Sequence, residues 1–205
     1  MTFARRSVAF ACASALALGL AAGRAVAQGL DPQLQEIRGL IREKRYPLAL
    51  ESLRLVARQI QDLRLEALAP AFPAAPSGWT ALSTMSLAGE DEIWTDRLTA
   101  QRAYVAATGA ARMDLTIDVN TPLGPTVALG FNPLALNADP LSRVVEVGGE
   151  KGLLRSNPDT GEAELRILLG RDVLVSARGR GLSSSATLVD LARGVDFALL
   201  RRTGR

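Results

Sequence analysis

From residue 113 the side chains alternate in character. Met113, Leu115, Ile117 and Val119 are apolar, and Asp114, Thr116 and Asp118 between them are polar. A period of two predicts a β-strand with one buried face and one wet face. Each apolar side chain buried there contributes at most about 1.5–3 kcal/mol. A slip of one residue would bury both aspartates, so the register is well specified. Shorter runs predict strands at 79–88, 101–107, 143–147, 152–155, 162–169 and 172–178. Asn157-Pro158-Asp159-Thr160-Gly161 carries turn chemistry. Gly170-Arg171, between two apolar runs, predicts a tight hairpin. Residues 121–140, rich in Pro, Gly, Asn and Leu, read as a short helix near 126–137 or as a loop.

At either side of this stretch the period lengthens to that of a helix. Leu34, Ile37 and Ile41, with Leu40 beside them, follow Asp31-Pro32, an N-cap and a first-turn proline. Tyr46-Pro47 interrupts, and Leu53, Val56, Ile60, Leu63 and Ala67 resume at steps of three and four. The two helices predict a hairpin over 31–69. Pro70, Pro73 and Pro76 then recur every third residue, as in a semi-rigid extended linker over 70–78 or a proline ligand for a partner. At the far end, Leu188, Leu191, Val195 and Leu199 give residues 183–200 one apolar helical face, with Gly194 placed to bend or weaken it. The order predicts an α+β fold: an N-terminal helical hairpin, then a mostly antiparallel sheet covered by helices over 79–202.

The first 27 residues have a different logic. Arg5 and Arg6 precede an uncharged apolar run from Val8 to Ala22, and Ala25-Val26-Ala27 is a small-residue cleavage pattern. That order predicts a bacterial signal peptide cut near Ala27, and hence a periplasmic or secreted protein. The run is short for a membrane span, which needs about 20 apolar residues. Arg5-Arg6 also leaves a twin-arginine route open beside the general one.

Cleavage changes the composition. The chain carries 24 basic and 21 acidic side chains, and Arg5, Arg6 and Arg24 leave with the signal, so the balance becomes 21 against 21. No excess of positive charge remains to favour nucleic acid. The one cysteine, Cys12, leaves too, and with it any disulfide or thiolate metal site. Histidine is absent, which excludes Ser-His-Asp, Cys-His and His-zinc chemistry.

Candidate chemistry in the remainder is thin. Arg178-Gly179-Arg180-Gly181-Leu182-Ser183-Ser184-Ser185 has two glycines at the spacing of a dinucleotide loop before a helix. Ser184 stands where a third glycine belongs, too little chain follows for a βαβ unit, and serines cap helices. Asp114 and Asp118 share a strand face, but their backbones lie about 13 Å apart, too far for one metal ion between them alone. Glu90, Asp91, Glu92 and Asp96 form an acidic cluster without a calcium-loop pattern. Lys44 and Lys151 are the only lysines, and neither lies in a serine–lysine motif. Trp79 and Trp94 suit core anchors better than a ligand site. No catalytic, cofactor-binding or metal-binding residue is assigned, and no cofactor is expected.

Two resemblances add to this. Tyr46, Ala49, Leu50 and Leu53 resemble part of a tetratricopeptide helix, without a second copy. The early Trp79, the strand at 113–119, Val147-Gly148-Gly149, the hairpin at Gly170 and the final helix resemble the layout of Mog1/PsbP-like domains over about 120 residues. That layout implies an accessory or binding module. The whole chain also resembles uncharacterised exported bacterial proteins that join a helical hairpin to an α+β domain from Gly78-Trp79-Thr80. Together these lead to a non-catalytic envelope module with a protein partner, its contact surface on the hairpin and proline segment. The alternatives are a carboxylate-based envelope hydrolase, with two acids about 5–10 Å apart in a cleft, and a small-ligand carrier with Trp79 or Trp94 in an apolar pocket.

Overall fold

A computed structural model describes residues 30–87 and 94–203. The segment expected to be a signal peptide, and Glu90, Asp91 and Glu92, lie outside the described residues. The chain divides into two compact units, one ending at Gln59 and one spanning Ile60–Arg205.

The first unit holds α1 (30–42) and the start of α2 (Tyr46–Leu68). The turn between them is a Schellman-type stop. Lys44 N–H donates to Ile41 O and Arg45 N–H to Leu40 O, with Lys44 in the left-handed region at φ 58°. Ile37, Ala49 and Val56 are buried, at the positions that the helical period marks for Ile37 and Val56. Leu34, Ile41, Tyr46, Leu48, Leu50 and Leu55 stay exposed. Gly39 lies inside α1 with nothing within 4 Å of where a Cβ would sit. Gly39→Ala is expected to stabilise the helix by about 1 kcal/mol through propensity alone. A lower helical melting midpoint in that variant would contradict the assignment.

The second unit is an eight-stranded antiparallel sheet with helices on it. Its strands are β1 (Trp79–Ala81), β2 (Met85–Ser86), β3 (Leu98–Ala106) and β4 (Arg112–Val119), then β5 (Ser142–Val147), β6 (Glu150–Asn157), β7 (Glu162–Leu169) and β8 (Val173–Arg180). Their order is β1-β3-β4-β8-β7-β6-β5, with β2 also on β3. Two meanders, β1–β4 and β5–β8, are therefore joined where β4 pairs with β8. The hairpins follow local turn chemistry. Between β5 and β6, Gly148 and Gly149 both have positive φ (59° and 82°), as a two-residue type I′ turn requires. Gly170, at φ 64°, opens the three-residue connection between β7 and β8.

One face of the sheet makes the core. Met113, Leu115, Ile117 and Val119 of β4 lie there, beside Val173, Val175 and Ala177 of β8 and Leu165 and Ile167 of β7. The alternation read from 113–119 thus sets the inside of the whole sheet. This face is covered by α5 (Ala186–Arg193) and α6 (Phe197–Thr203), which bury Leu188, Leu191, Phe197 and Leu200. The break between them falls at Gly194, the C-cap of α5.

The end of α2 and the proline segment belong to this core. Leu68, Ala71 and Phe72 are buried, and Ala69–Ala71 is a 3-10 turn. Asp196 N–H donates to Ala71 O, and the Tyr104 hydroxyl donates to Pro73 O at 2.8 Å. Arg102 lies 5.1 Å over the Phe72 ring, with its Nε donating to Thr84 Oγ1 at 2.8 Å.

Burial raises the Tyr104 phenol from 10.0 to about 12, against the opposing pull of Arg102. Below pH 10 the phenol is neutral in both the folded and the unfolded chain, so it contributes no slope there. Between about pH 10 and 12 only the unfolded chain ionises, and stability falls as pH rises. Phenolate absorbance should therefore show a tyrosine titrating near pH 12, and Tyr104→Phe should remove that step. Titration of Tyr104 near its ordinary value of 10.0 would contradict this environment.

Candidate binding face

The other face of the sheet is polar by the same alternation. Thr99 and Gln101 of β3, Asp114, Thr116 and Asp118 of β4, Ser176 and Arg178 of β8, and Glu164 and Arg166 of β7 point to it. Among the described residues one segment crosses this face. β4 ends beside β8, whereas β5 lies at the far edge of the sheet. Residues 120–141 must therefore span four strand spacings, about 19 Å. They do so with two short helices, α3 (Gly124–Leu129) and α4 (Pro133–Ala138). Both start with a proline in the first turn, and Asn132 caps α4 by accepting from Leu134 N–H at 2.9 Å. Val127 is buried, while Leu123, Leu129 and Leu134 are exposed. What the sequence leaves as one helix or a loop is two helices split at Gly130–Asn132.

Beside this crossing lies an open trough of about 660 Å³. Thr99, Gln101, Thr116 and Ser176 supply short polar side chains to it. Its charges are arranged in cross-strand rows. One row runs Asp114, Arg178, Glu164, Arg155, Ser142 from β4 to β5. Opposite charges on directly paired residues stabilise a sheet by about 0.2–1 kcal/mol each.

Each carboxylate in the trough is held by arginine. Arg112 places Nε 3.0 Å from both oxygens of Asp114 and Nη2 2.8 Å from Oδ1. Asp118, 8% exposed, accepts from Thr99 Oγ1 at 2.6 Å and has Arg97 Nη2 at 3.6 Å. Glu164 Oε1 accepts from Arg166 (3.1 and 2.9 Å) and from Arg178 at 3.0 Å. Burial pushes the Glu164 carboxyl up, but Arg166 and then Arg178 outweigh it and hold the group below its ordinary value. At the edge of the face, Arg155 Nε donates to Asp139 at 3.0 Å, and Ser142 Oγ donates to the same oxygen at 2.8 Å.

This geometry suits charge recognition better than proton transfer. Asp114 and Glu164 lie in one row two strands apart, about 10 Å by strand spacing. An inverting glycosidase keeps its acids at a similar distance, with one of them raised to serve as the acid. Here the intervening position is Arg178, and Glu164 is lowered.

The other sequence candidates fall elsewhere. Asp114 and Asp118 share the face, but each has its own arginine. Asp96 lends its backbone carbonyl to Arg64 (2.5 Å) and Asn120 (3.1 Å). After β8, Gly181 turns the chain and α5 begins; Ser184 Oγ accepts from Ala186 N–H at 3.1 Å, as a cap would. Lys44 lies in the turn after α1, and Lys151 is exposed on β6. Trp79 packs on the core from β1, Trp94 is exposed, and neither lines the trough. Among the described residues no group of three or more potential ligands could hold a metal ion. No helix among them is long and apolar enough to cross a membrane.

The charged rows are the feature that reading the strands singly misses. Their signal lies in the two-residue spacing of Arg112 and Asp114, of Glu164 and Arg166, and of Arg178 and Arg180. Only the strand order brings these pairs together. Comparison of the chain with protein-family models, with curated proteins and with solved structures finds no match.

Proposed function

We propose that this chain is an exported, non-catalytic accessory module of the bacterial envelope that binds a protein partner. The observation that carries the reading is the open trough, whose three carboxylates are each engaged by arginine, with Glu164 held ionised. A face of this kind offers hydrogen bonds and fixed charge to a ligand, and its Glu164 carboxyl, held below the ordinary value, is not poised as an acid. The lack of histidine supports the same side. Export rests on the order of Arg5-Arg6, the apolar run and Ala25-Val26-Ala27. The resemblance of the sequence's layout to Mog1/PsbP-like domains points to an accessory role.

A second contact surface is favoured by the exposed apolar side chains of the helical unit, Leu34, Ile41, Tyr46, Leu48, Leu50 and Leu55. The proline segment is a weaker candidate, since Ala71 and Phe72 are buried in the sheet's core.

The test is expression of the full chain with a C-terminal tag, followed by fractionation, N-terminal sequencing and cross-linking in cells. The expected product begins near Gln28, resides outside the inner membrane and cross-links to a protein in fixed ratio. Recovery of the intact chain from the cytosol, or of a monomer with no cross-linked protein, would refute the proposal.

A further inference from the structure

We infer that the open trough receives an extended, acidic peptide segment of the partner, with its carboxylates seated on Arg178 and Arg180. The inference rests on the partner-binding reading above and adds the chemistry of what is bound.

Among the described residues the trough carries more cations than carboxylates. Four arginines, Arg97, Arg166, Arg178 and Arg180, line it against three carboxylates, Asp114, Asp118 and Glu164. Arg112, at its end, adds a fifth cation. Asp114 is taken by Arg112, and Glu164 is shared between Arg166 and Arg178. Among the described residues Arg180 makes no ion pair, although Glu162 lines a hollow with it; it stands directly opposite Arg112 in the β4–β8 ladder. Like charges directly opposed across a sheet destabilise it. Asp114 offsets Arg112, and the unpaired Arg180 guanidinium is left to take an incoming carboxylate. Arginine's planar fork suits such a group because it can bind both oxygens at once.

The trough also has a direction. At the Asp118 end it gains apolar side chains, Leu87, Leu123, Val127 and Leu174. From Leu174 to Arg180 the strand runs six residues, about 20 Å. An extended peptide of similar length spans this distance, with an apolar residue at one end and acids at the other. Thr116 and Ser176 lie between to meet its backbone. Among the described residues no aromatic side chain lines the trough, so a sugar ring would find no platform to stack on. The lining therefore favours peptide over acidic polysaccharide.

The experiment is selection of a phage-displayed heptapeptide library on the purified protein, in parallel with Arg178→Ala/Arg180→Ala. Both arginines are exposed at the end of β8, and loss of the Arg178–Glu164 pair should cost little, so the variant should stay folded with a slightly lowered melting midpoint. The expected result is enrichment of peptides with two or more acids about five residues from an apolar one. Their affinity should fall at least about tenfold in the double variant and weaken with added salt. Fluorescence anisotropy with the selected peptide and its Asn/Gln counterpart gives these values. Equal binding by the uncharged counterpart, or by the double variant, would overturn the inference. So would failure to select any acidic peptide, or displacement by oligogalacturonate with tighter binding than the peptide. A cell cross-link that survives Arg178→Ala/Arg180→Ala would leave the accessory reading standing and remove this face from it.

Discussion

Ile117→Asp is expected to unfold the sheet domain, whereas Thr116→Asp, one residue away, should leave it folded. Ile117 is fully buried at the centre of β4, between Ala100 of β3 and Val175 of β8. A carboxylate there has no partner, and an uncompensated buried charge costs about 3–5 kcal/mol or more. That is much of the 5–15 kcal/mol that keeps a typical domain folded. Thr116 faces the trough, where it already neighbours polar side chains, so the same substitution should shift stability by less than about 1 kcal/mol. Circular dichroism and urea unfolding of the two variants decide it. Similar midpoints for both would mean that the register of β4 is wrong.

Gly124→Ala is the second large effect. A Cβ at this position would lie 2.3 Å from the backbone oxygen of Arg171 and 3.6 Å from Leu168 Cδ1. The obstacle is main chain in the β7–β8 connection, so a side-chain rotation cannot relieve it. The start of α3 must lift off the sheet, at a cost of about 1–3 kcal/mol. Because α3 forms one wall of the trough, the same change should weaken peptide binding beyond the loss of stability. An unchanged urea midpoint would show that the crossing segment is not seated where the structure places it.

The legible parts of this fold were those with a local cause. The alternation at Met113–Val119 locates β4 and its buried face because each residue's burial depends only on its parity. Gly170 marks a turn because left-handed backbone leaves few other choices. Gly194 appears in the sequence as a weak point, and α5 ends there. By contrast, the expected strand at 79–88 is two short pieces on β3, since Leu82–Thr84 lie outside the ladder. The helix pair over residues 121–140 was ambiguous because its reason is distant: β5 begins at the opposite edge of the sheet from where β4 stops. The trough was hidden for the same cause. Asp114 reads as a solvated carboxylate until β8 is placed beside it, and Glu164 becomes its row-mate only through Arg178.

The seam between β4 and β8 also governs how the chain reaches this state. Hairpins on either side of it close over a few residues, but the seam pairs Val119 with Val173 and Arg112 with Arg180, 54 and 68 positions apart. Ordering so long an intervening chain is slow and comes before its contacts return any energy. By loop length the seam is the pairing expected to close last, and until it does each half-sheet presents an edge able to pair with another molecule. The interval before they meet is when the protein is most exposed to aggregation and proteolysis.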